Sequence, residues 1–395
     1  MEFTHHDVVR KFKVLYTGEP LIIRAPGRIN LIGEHTDYNN GFVMPAAIDY
    51  GTFFALAPAT DGRSEIFALK NGQTYTVDLE QDIKPVKNPG WVNYLLGIIH
   101  KLKSGGHPLI PFKCVFGGNI PIGSGLSSSA SLECGFAFAL NELNHLRIDR
   151  QRLIFMAQWS EHNFVGVKCG IMDQFASMMG KKDNVILLDC RSLEYSYSPL
   201  KLDGYSLVLC DTKVKHALVD SDYNTRRHEC ERGVEVLKKH YPEISSLRDV
   251  KCDMLEKHKG EFAGREFNRC LYIVQEMERV LMANNDLKNN NLKAFGEKMF
   301  ETHKGLSGLY EVSCDELDFF VAIAHEHEGV IGARMMGGGF GGCTINIVQS
   351  DAALDFTSTI KKSYRAMFNI DPEIYPVTIG EGVSIVNNET QETIL

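Results

Sequence analysis

Pro121-Ile122-Gly123-Ser124-Gly125-Leu126-Ser127-Ser128-Ser129-Ala130-Ser131 is the stretch on which the reading of this chain turns. Upstream, Phe112, Cys114 and Phe116 alternate with Lys113 and Val115, a period of two that predicts a strand. Downstream, Leu132, Phe136, Ala139, Leu140 and Leu143 recur at helical spacing. A strand therefore enters the stretch and a helix leaves it. Gly123 and Gly125 can take positive φ and let a ligand approach the backbone, and the serines set hydroxyls and N–H groups at a helix N-terminus. Such a place suits anions. The simpler alternative is an ordinary Gly/Ser turn with a serine N-cap. Two other chemistries are excluded. No lysine lies in the loop, as a G-x-x-x-x-G-K-[ST] phosphate loop needs, and no serine has glycine two residues away on both sides, as a hydrolase elbow needs.

The 395 residues suffice for two or three domains with cores that need no covalent staples. Hydrophobic content of 44% and charged content of 23% are those of an ordinary soluble globular protein. A net charge of −8 argues against nucleic acid and anionic membrane surfaces as partners. The ten cysteines are scattered without C-x-x-C pairs or metal-ligand spacing, so they read as reduced thiols, and zinc is not expected. The N-terminus has no apolar leader-like run and no segment approaches membrane-spanning length, so a cytoplasmic protein is expected. A monomer is the separate expectation.

Along the chain, residues 6–16 suit a short amphipathic helix, and Leu21, Ile22 and Ile23 begin a strand. The run Arg24-Ala-Pro-Gly-Arg-Ile-Asn-Leu-Ile-Gly-Glu-His-Thr-Asp-Tyr-Asn39 then interrupts an apolar segment with a burst of polar residues, Glu34, His35 and Asp37 among them. It is either a solvated hairpin turn over 37–41 or a site. Residues 53–79 predict strands joined by turns at Asp61-Gly62 and Asn71-Gly72. Trp91, Tyr94, Leu95, Ile98 and Leu102 share one face of a helix, read as core.

Residues 151–165 predict a helix ending near Glu161 and His162, whose histidine reads as capping or packing. Residues 169–179 leave hardly any polar face and predict a buried helix, in which Asp173 must have partners or a task. Apolar runs at 185–188 and 207–210 predict strands, with a domain junction near Ser198 between them. Residues 221–328 are mostly helical, with a capping box expected over Ser313 to Glu316 and a stop at Gly329. His325-Glu-His-Glu328 lacks metal-site spacing and reads as solvated. A glycine turn at 337–342, an alternating strand at 343–348, a helix from Ser350 and a strand at 374–379 fit a split βαβ second domain.

The loop, the 25–39 run and the glycine turn together resemble the GHMP small-molecule kinases, and the 25–39 run resembles the galactokinase branch of that superfamily. The resemblance covers nearly the whole chain. It implies an α+β, two-domain GHMP kinase fold: a ribosomal-protein-S5-domain-2-like half over 1–198, a ferredoxin-like half with extra helices over 199–395, and an active site between them. It implies transfer of the ATP γ-phosphoryl group to the C1 hydroxyl of α-D-galactose, with Mg²⁺.

By resemblance Asp173 is the base and Arg28 stabilises the transferring group, although a guanidinium beside a carboxylate weakens it as a base. Glu34, His35, Thr36, Asp37 and Tyr223 would bind sugar. Gly123, Ser124, Gly125, Leu126, Ser127, Ser128 and Ser129 would bind ATP, and Ser129 and Glu161 would hold Mg²⁺. Two departures stand out. Ser221-Asp222-Tyr223 replaces the usual Ser-Glu-Tyr, and Met336 stands where relatives usually carry threonine, which would remove a polar contact near the phosphates. The alternatives are an N-acetylgalactosamine kinase or related sugar kinase, and a non-catalytic galactose sensor.

Overall fold

The computed structural model describes residues 3–121, 123–215 and 219–387. Of the segments singled out above, Ile122 and residues 216–218 lie outside the described residues, as do the side chains of Ser221 and Asp222. The first half of the chain runs α1 (His5–Leu15), β1 (Leu21–Asn30), β2 (Phe42–Val43), β3 (Pro45–Pro58), β4 (Ser64–Ala68), β5 (Gln73–Val77), α2 (Val92–Ser104), β6 (Phe112–Gly118), α3 (Ser128–Leu143), α4 (Arg150–Ser160), α5 (Met172–Met179), β7 (Asn184–Asp189) and β8 (Tyr195–Pro199). It continues through β9 (Tyr205–Lys215), α6 (Val219–Lys238), α7 (Cys252–Lys257), α8 (Glu266–Lys288), α9 (Leu292–Gly305), α10 (Asp315–Glu326), β10 (Val330–Met335), β11 (Gly341–Gln349), α11 (Ala353–Phe368), β12 (Glu373–Val377) and β13 (Ser384–Ile385).

Six strands form one sheet in the order β13-β1-β3-β6-β4-β5. All neighbours are antiparallel except β4 and β6. Both faces of this sheet are covered, which removes the clean alternation of a half-exposed strand. Phe54, Leu56, Phe112 and Cys114 pack with α2 and α3 residues such as Leu95, Ile99 and Phe136. Phe53, Ala55, Phe67 and Val115 pack against Val8 and Phe12 of α1. Lys113 on β6 is itself buried, its ammonium reaching Asp61 at 2.9 Å and Glu65 at 3.0 Å. Asn71-Gly72 makes the β4–β5 hairpin, whereas Asp61-Gly62 joins strands that β6 separates.

The second sheet is ordered β10-β11-β9-β12, all antiparallel. Counting its strands along the chain gives the spatial order 2-3-1-4, the split βαβ arrangement, with α6 to α10 between its first two strands and α11 between its last two. A small sheet, β2-β7-β8, bridges the halves, and Ser198 lies inside β8. The last strand, β13, returns to pair with β1, so the C-terminal part of the chain completes the first sheet.

One expected local feature differs. The cap of α10 is Cys314, without a side-chain bond, because the Ser313 hydroxyl donates to Asp318 at 2.5 Å rather than to a helix N–H. Capping boxes occur instead at Thr4 with Asp7 and at Ser246 with Asp249.

Candidate active site

The glycine-serine loop between β6 and α3 has the backbone its sequence demands. Gly123 and Gly125 sit at φ of 80° and 77°, and Ser127 at 54° in the left-handed region as the residue before α3. Ser127 does not cap α3. Its hydroxyl donates instead to the Asp173 carboxylate. The side chains of Ser124 and Leu126 turn inward, Ser124 donating to the Pro121 carbonyl at 2.7 Å and Leu126 joining the apolar core. These two can offer a ligand only their backbone. The glycine turn after β10 packs face to face with the loop: a methyl group on Gly337 would lie 3.7 Å from Gly125 Cα, and one on Gly342 3.8 Å from the Ser124 carbonyl oxygen. Met336 is buried, its side chain packed with Leu126, Ile120 and Ile29.

Arg28 laces the loop to Asp173. Its Nε and Nη2 donate to the two carboxylate oxygens at 2.7 and 2.9 Å, its Nη1 to the Gly125 carbonyl at 2.5 Å, and its backbone N–H to the Leu126 carbonyl at 3.2 Å. The paired geometry is the strong, oriented form of this interaction. Asp173 lies in the first turn of α5, where an acid also suits the helix dipole. Its side chain is 26% exposed, and it lines a cavity of about 300 Å³. Asp173 is therefore not a carboxylate locked in a buried helix. It stands on that helix's open edge.

The same cavity collects Glu34, His35 and Asp37 from the segment after β1, Glu161 from the turn after α4, Tyr223 from α6, and Gly337 and Gly338 from the glycine turn. Glu34 is held from the far half of the chain, accepting from Gly337 N–H at 2.8 Å and from Arg334 at 3.1 Å. Arg334 is fully buried on β10 and also donates to the carbonyls of Leu31 at 2.8 Å and of Asn30. A lone cation in the apolar run before the glycine turn was the sequence signal for it.

His35 Nδ1 meets Tyr38 Oη at 2.8 Å, and Tyr38 Oη meets Tyr310 Oη at 2.7 Å. Burial pushes the His35 imidazole down to about 4, so it is neutral at physiological pH. Burial and the Asp173 charge push the Asp37 carboxyl up to about 7. A methyl group on Gly170 would stand 1.8 Å from Asp37 Oδ2, so only glycine lets that carboxyl sit there. The Tyr223 ring lies 5.5 Å from His35 and 5.4 Å from Tyr38. Thr36 is the exception in its segment. It is fully buried, donates to the carbonyls of Gly33 and Phe42 at 2.9 and 2.6 Å, and is not among the residues lining the cavity.

Glu161 opens a π-type turn closed by Gly166 at φ of 94°, an irregularity that turns the carboxylate inward. It accepts from Gln174 at 2.7 Å and from the Cys169 thiol at 3.4 Å, and the Ser129 hydroxyl stands beside it. Burial and Asp173 push its carboxyl above the usual range, and burial with the Glu161 charge raises Glu133 beside it. The two buried oxygens of Glu133 have no partner, and hard oxygen donors crowded at a phosphate loop form a donor set that fits Mg²⁺.

A second cavity of about 290 Å³ opens on the other side of the loop, lined by Ser128 and Ser129 and by Trp91, Tyr94, Phe116 and Leu132. Trp91 is half-buried, so the helix face read as core is partly a cavity wall. Apolar residues at helical spacing look the same in either setting, which is why this wall was missed.

Two sheets in this order, and two cavities meeting at a glycine-serine loop, define a small-molecule kinase of the GHMP type. Residues 93–181 match the GHMP kinases N terminal domain and residues 283–365 the GHMP kinases C terminal domain, while residues 10–58 match the galactokinase galactose-binding signature. The galactokinase of Clostridium acetobutylicum is 43% identical over 366 residues, 92% of this chain and 94% of that protein. That of Thermotoga maritima is 40% identical, over 91% and 99% respectively. The structure of Lactococcus lactis galactokinase complexed with galactose superposes with a TM-score of 0.90 at 34% identity, covering 96% of this chain and 99% of that one. A mevalonate kinase structure, 20% identical with a TM-score of 0.64, shares the fold. The chain belongs to the galactokinase family.

Proposed function

We propose that this ATP-dependent sugar kinase transfers the γ-phosphoryl group of ATP to the C1 hydroxyl of α-D-galactose, giving α-D-galactose 1-phosphate and ADP. The observation that carries the reading is the Arg28–Asp173 pair, tied to the phosphate loop through Gly125 and Ser127 and open to the cavity that holds Glu34, His35 and Asp37. Galactose occupies that cavity, and the base of ATP the aromatic one beyond the loop. Gly123 to Ser129 lie between them and take the phosphates, Ser124 and Leu126 through backbone only.

In the reaction the bond from the C1 oxygen to the γ-phosphorus forms as the bond from that phosphorus to the β,γ-bridging oxygen breaks, and ADP leaves with the electron pair. The C1 hydroxyl proton passes to Asp173. A loose phosphoryl transition state asks mainly for alignment and charge compensation, with proton removal late, so a carboxylate suffices as base. Arg28 aligns that carboxylate and offers positive charge at the transferring group. Neutral His35, together with Glu34, Asp37 and Tyr223, holds the sugar hydroxyls. Ser129 and Glu161 would hold Mg²⁺, which when bound compensates phosphate charge.

The halves 1–198 and 199–395 act as one unit, a reading supported by Glu34 of the first being held by Arg334 and Gly337 of the second. All ten cysteines are unpaired, which supports a reducing, cytoplasmic setting. Among the described residues no helix is long and apolar enough to cross a membrane. A coupled ADP-release assay tests the activity: release is expected with galactose and far less with N-acetylgalactosamine. No release with galactose would overturn the assignment.

A further inference from the structure

Far along the chain from either cavity's loop, the turn after α6 and the turn after α7 bring His240, His258 and Glu261 together. His240 follows α6, with its N–H on the Leu237 carbonyl at 2.9 Å. His258 closes α7, and Glu261 ends the short turn after it, with its N–H on the His258 carbonyl at 2.9 Å. The two imidazoles are stacked, with centroids 3.8 Å apart and planes 18° apart. Each aims one nitrogen at the same carboxylate: His240 Nε2 lies 2.8 Å from Glu261 Oε2, and His258 Nδ1 2.8 Å from Glu261 Oε1.

The His258 side chain is nine-tenths buried, and its Nε2 has no partner, so the carboxylate is the ring's only polar tie. None of the three residues lines the sugar or the aromatic cavity. Neither a hydrophobic core nor the phosphoryl chemistry needs two imidazoles converging on one acid.

We propose that His240, His258 and Glu261 form a surface site for one divalent transition-metal ion of the zinc class. The candidate ligand atoms lie within 4.8 Å of one another. Tetrahedral bonds of about 2.0–2.1 Å set ligand atoms about 3.3 Å apart, so closing on an ion takes a rotation of one imidazole out of the stack, which brings both in-plane lone pairs onto the metal. Two imidazoles and one carboxylate suit zinc, copper or nickel and not Mg²⁺, which prefers all-oxygen coordination, so the site is chemically separate from the one at Ser129 and Glu161. The remaining coordination position, on a ligand set about one-third exposed, is open to water. Binding would tie the end of α6 to the α7 turn. The two histidines stand too far apart in sequence to form a recognisable motif, which is why the site was not read from spacing.

The test uses the full chain, treated with a chelator and desalted, titrated with Zn²⁺ in buffer containing excess Mg²⁺, beside His240→Ala and Glu261→Gln. These residues touch no catalytic group, so both variants should phosphorylate galactose as the parent does, which also reports correct folding. We expect one Zn²⁺ bound per parent chain, a rise in Tm on binding, and affinity reduced at least about tenfold in each variant, the scale of losing a metal-site group. Co²⁺ should give visible absorption with the parent that both variants lack. Parent and variants binding Zn²⁺ equally well, or the parent binding none, would overturn the proposal.

Discussion

The two cavities flanking the phosphate loop have nearly equal volumes, about 300 and 290 Å³, and opposite construction. The sugar side is built from charges and short hydrogen bonds, with Glu34 fixed by Arg334 and Gly337, His35 by Tyr38, and Asp173 by Arg28 and Ser127. The nucleotide side is mostly ring faces and aliphatic carbon, bounded by loop hydroxyls. On the proposed assignment the first would read a ligand hydroxyl by hydroxyl, since a buried polar group left unpaired costs about 1–3 kcal/mol. The second grips a flat surface and tolerates variation.

The largest effect that would sharpen this contrast is sugar discrimination. Glucose differs from galactose by inversion of one hydroxyl, and kcat/KM for glucose should fall by about 10⁴, the range open to sites that bond a hydroxyl. 2-Deoxygalactose should lose less. Comparable values for glucose and galactose would break the claim that the sugar side reads hydroxyls.

Next, Trp91→Ala should raise KM for ATP about tenfold, the scale of losing one base–aromatic stack, and leave KM for galactose alone. A change confined to galactose would reverse the assignment of the cavities. Gly170→Ala should do the opposite, raising KM for galactose by about tenfold, or ~1.4 kcal/mol, because the new methyl group displaces the Asp37 carboxyl. A variant with unchanged galactose kinetics would place Asp37 outside the sugar contacts.

A smaller effect should follow from pH. The Asp37 carboxyl of the free protein is raised to about 7, and the sugar donates to its ionised form, so affinity is full above that value and weakens as pH falls through it. One unit below, the loss approaches about tenfold at most. Calorimetric galactose titrations across neutrality should show that limb in the parent and none in Asp37→Asn. A flat parent profile would remove the ionised carboxylate from recognition.

The sequence made these regions unequally visible, for physical reasons. Positive φ at Gly123 and Gly125 demands glycine, and charged residues between apolar runs cannot hide, so the loop and the 25–39 run were legible. Thr36 lies in the same run, yet its hydroxyl faces inward to backbone carbonyls, a direction that sequence does not encode. Trp91 failed in the other sense, because an apolar ligand wall and a core face share one periodicity. Arg334 carried a signal, a lone cation in an apolar run, but its hold on Glu34 and the β13–β1 pairing are contacts between distant segments and could come only from the fold.

The central claim is that Asp173 takes the sugar proton while other groups bind the substrates. Asp173→Asn keeps the shape and leaves Ser127 and Arg28 an oxygen to bond. Steady-state turnover measured beside calorimetric galactose binding decides the matter. The account predicts near-parental galactose affinity with kcat reduced at least about a hundredfold, the usual scale for removing a positioned base. A variant that binds galactose and keeps most of its kcat would contradict it.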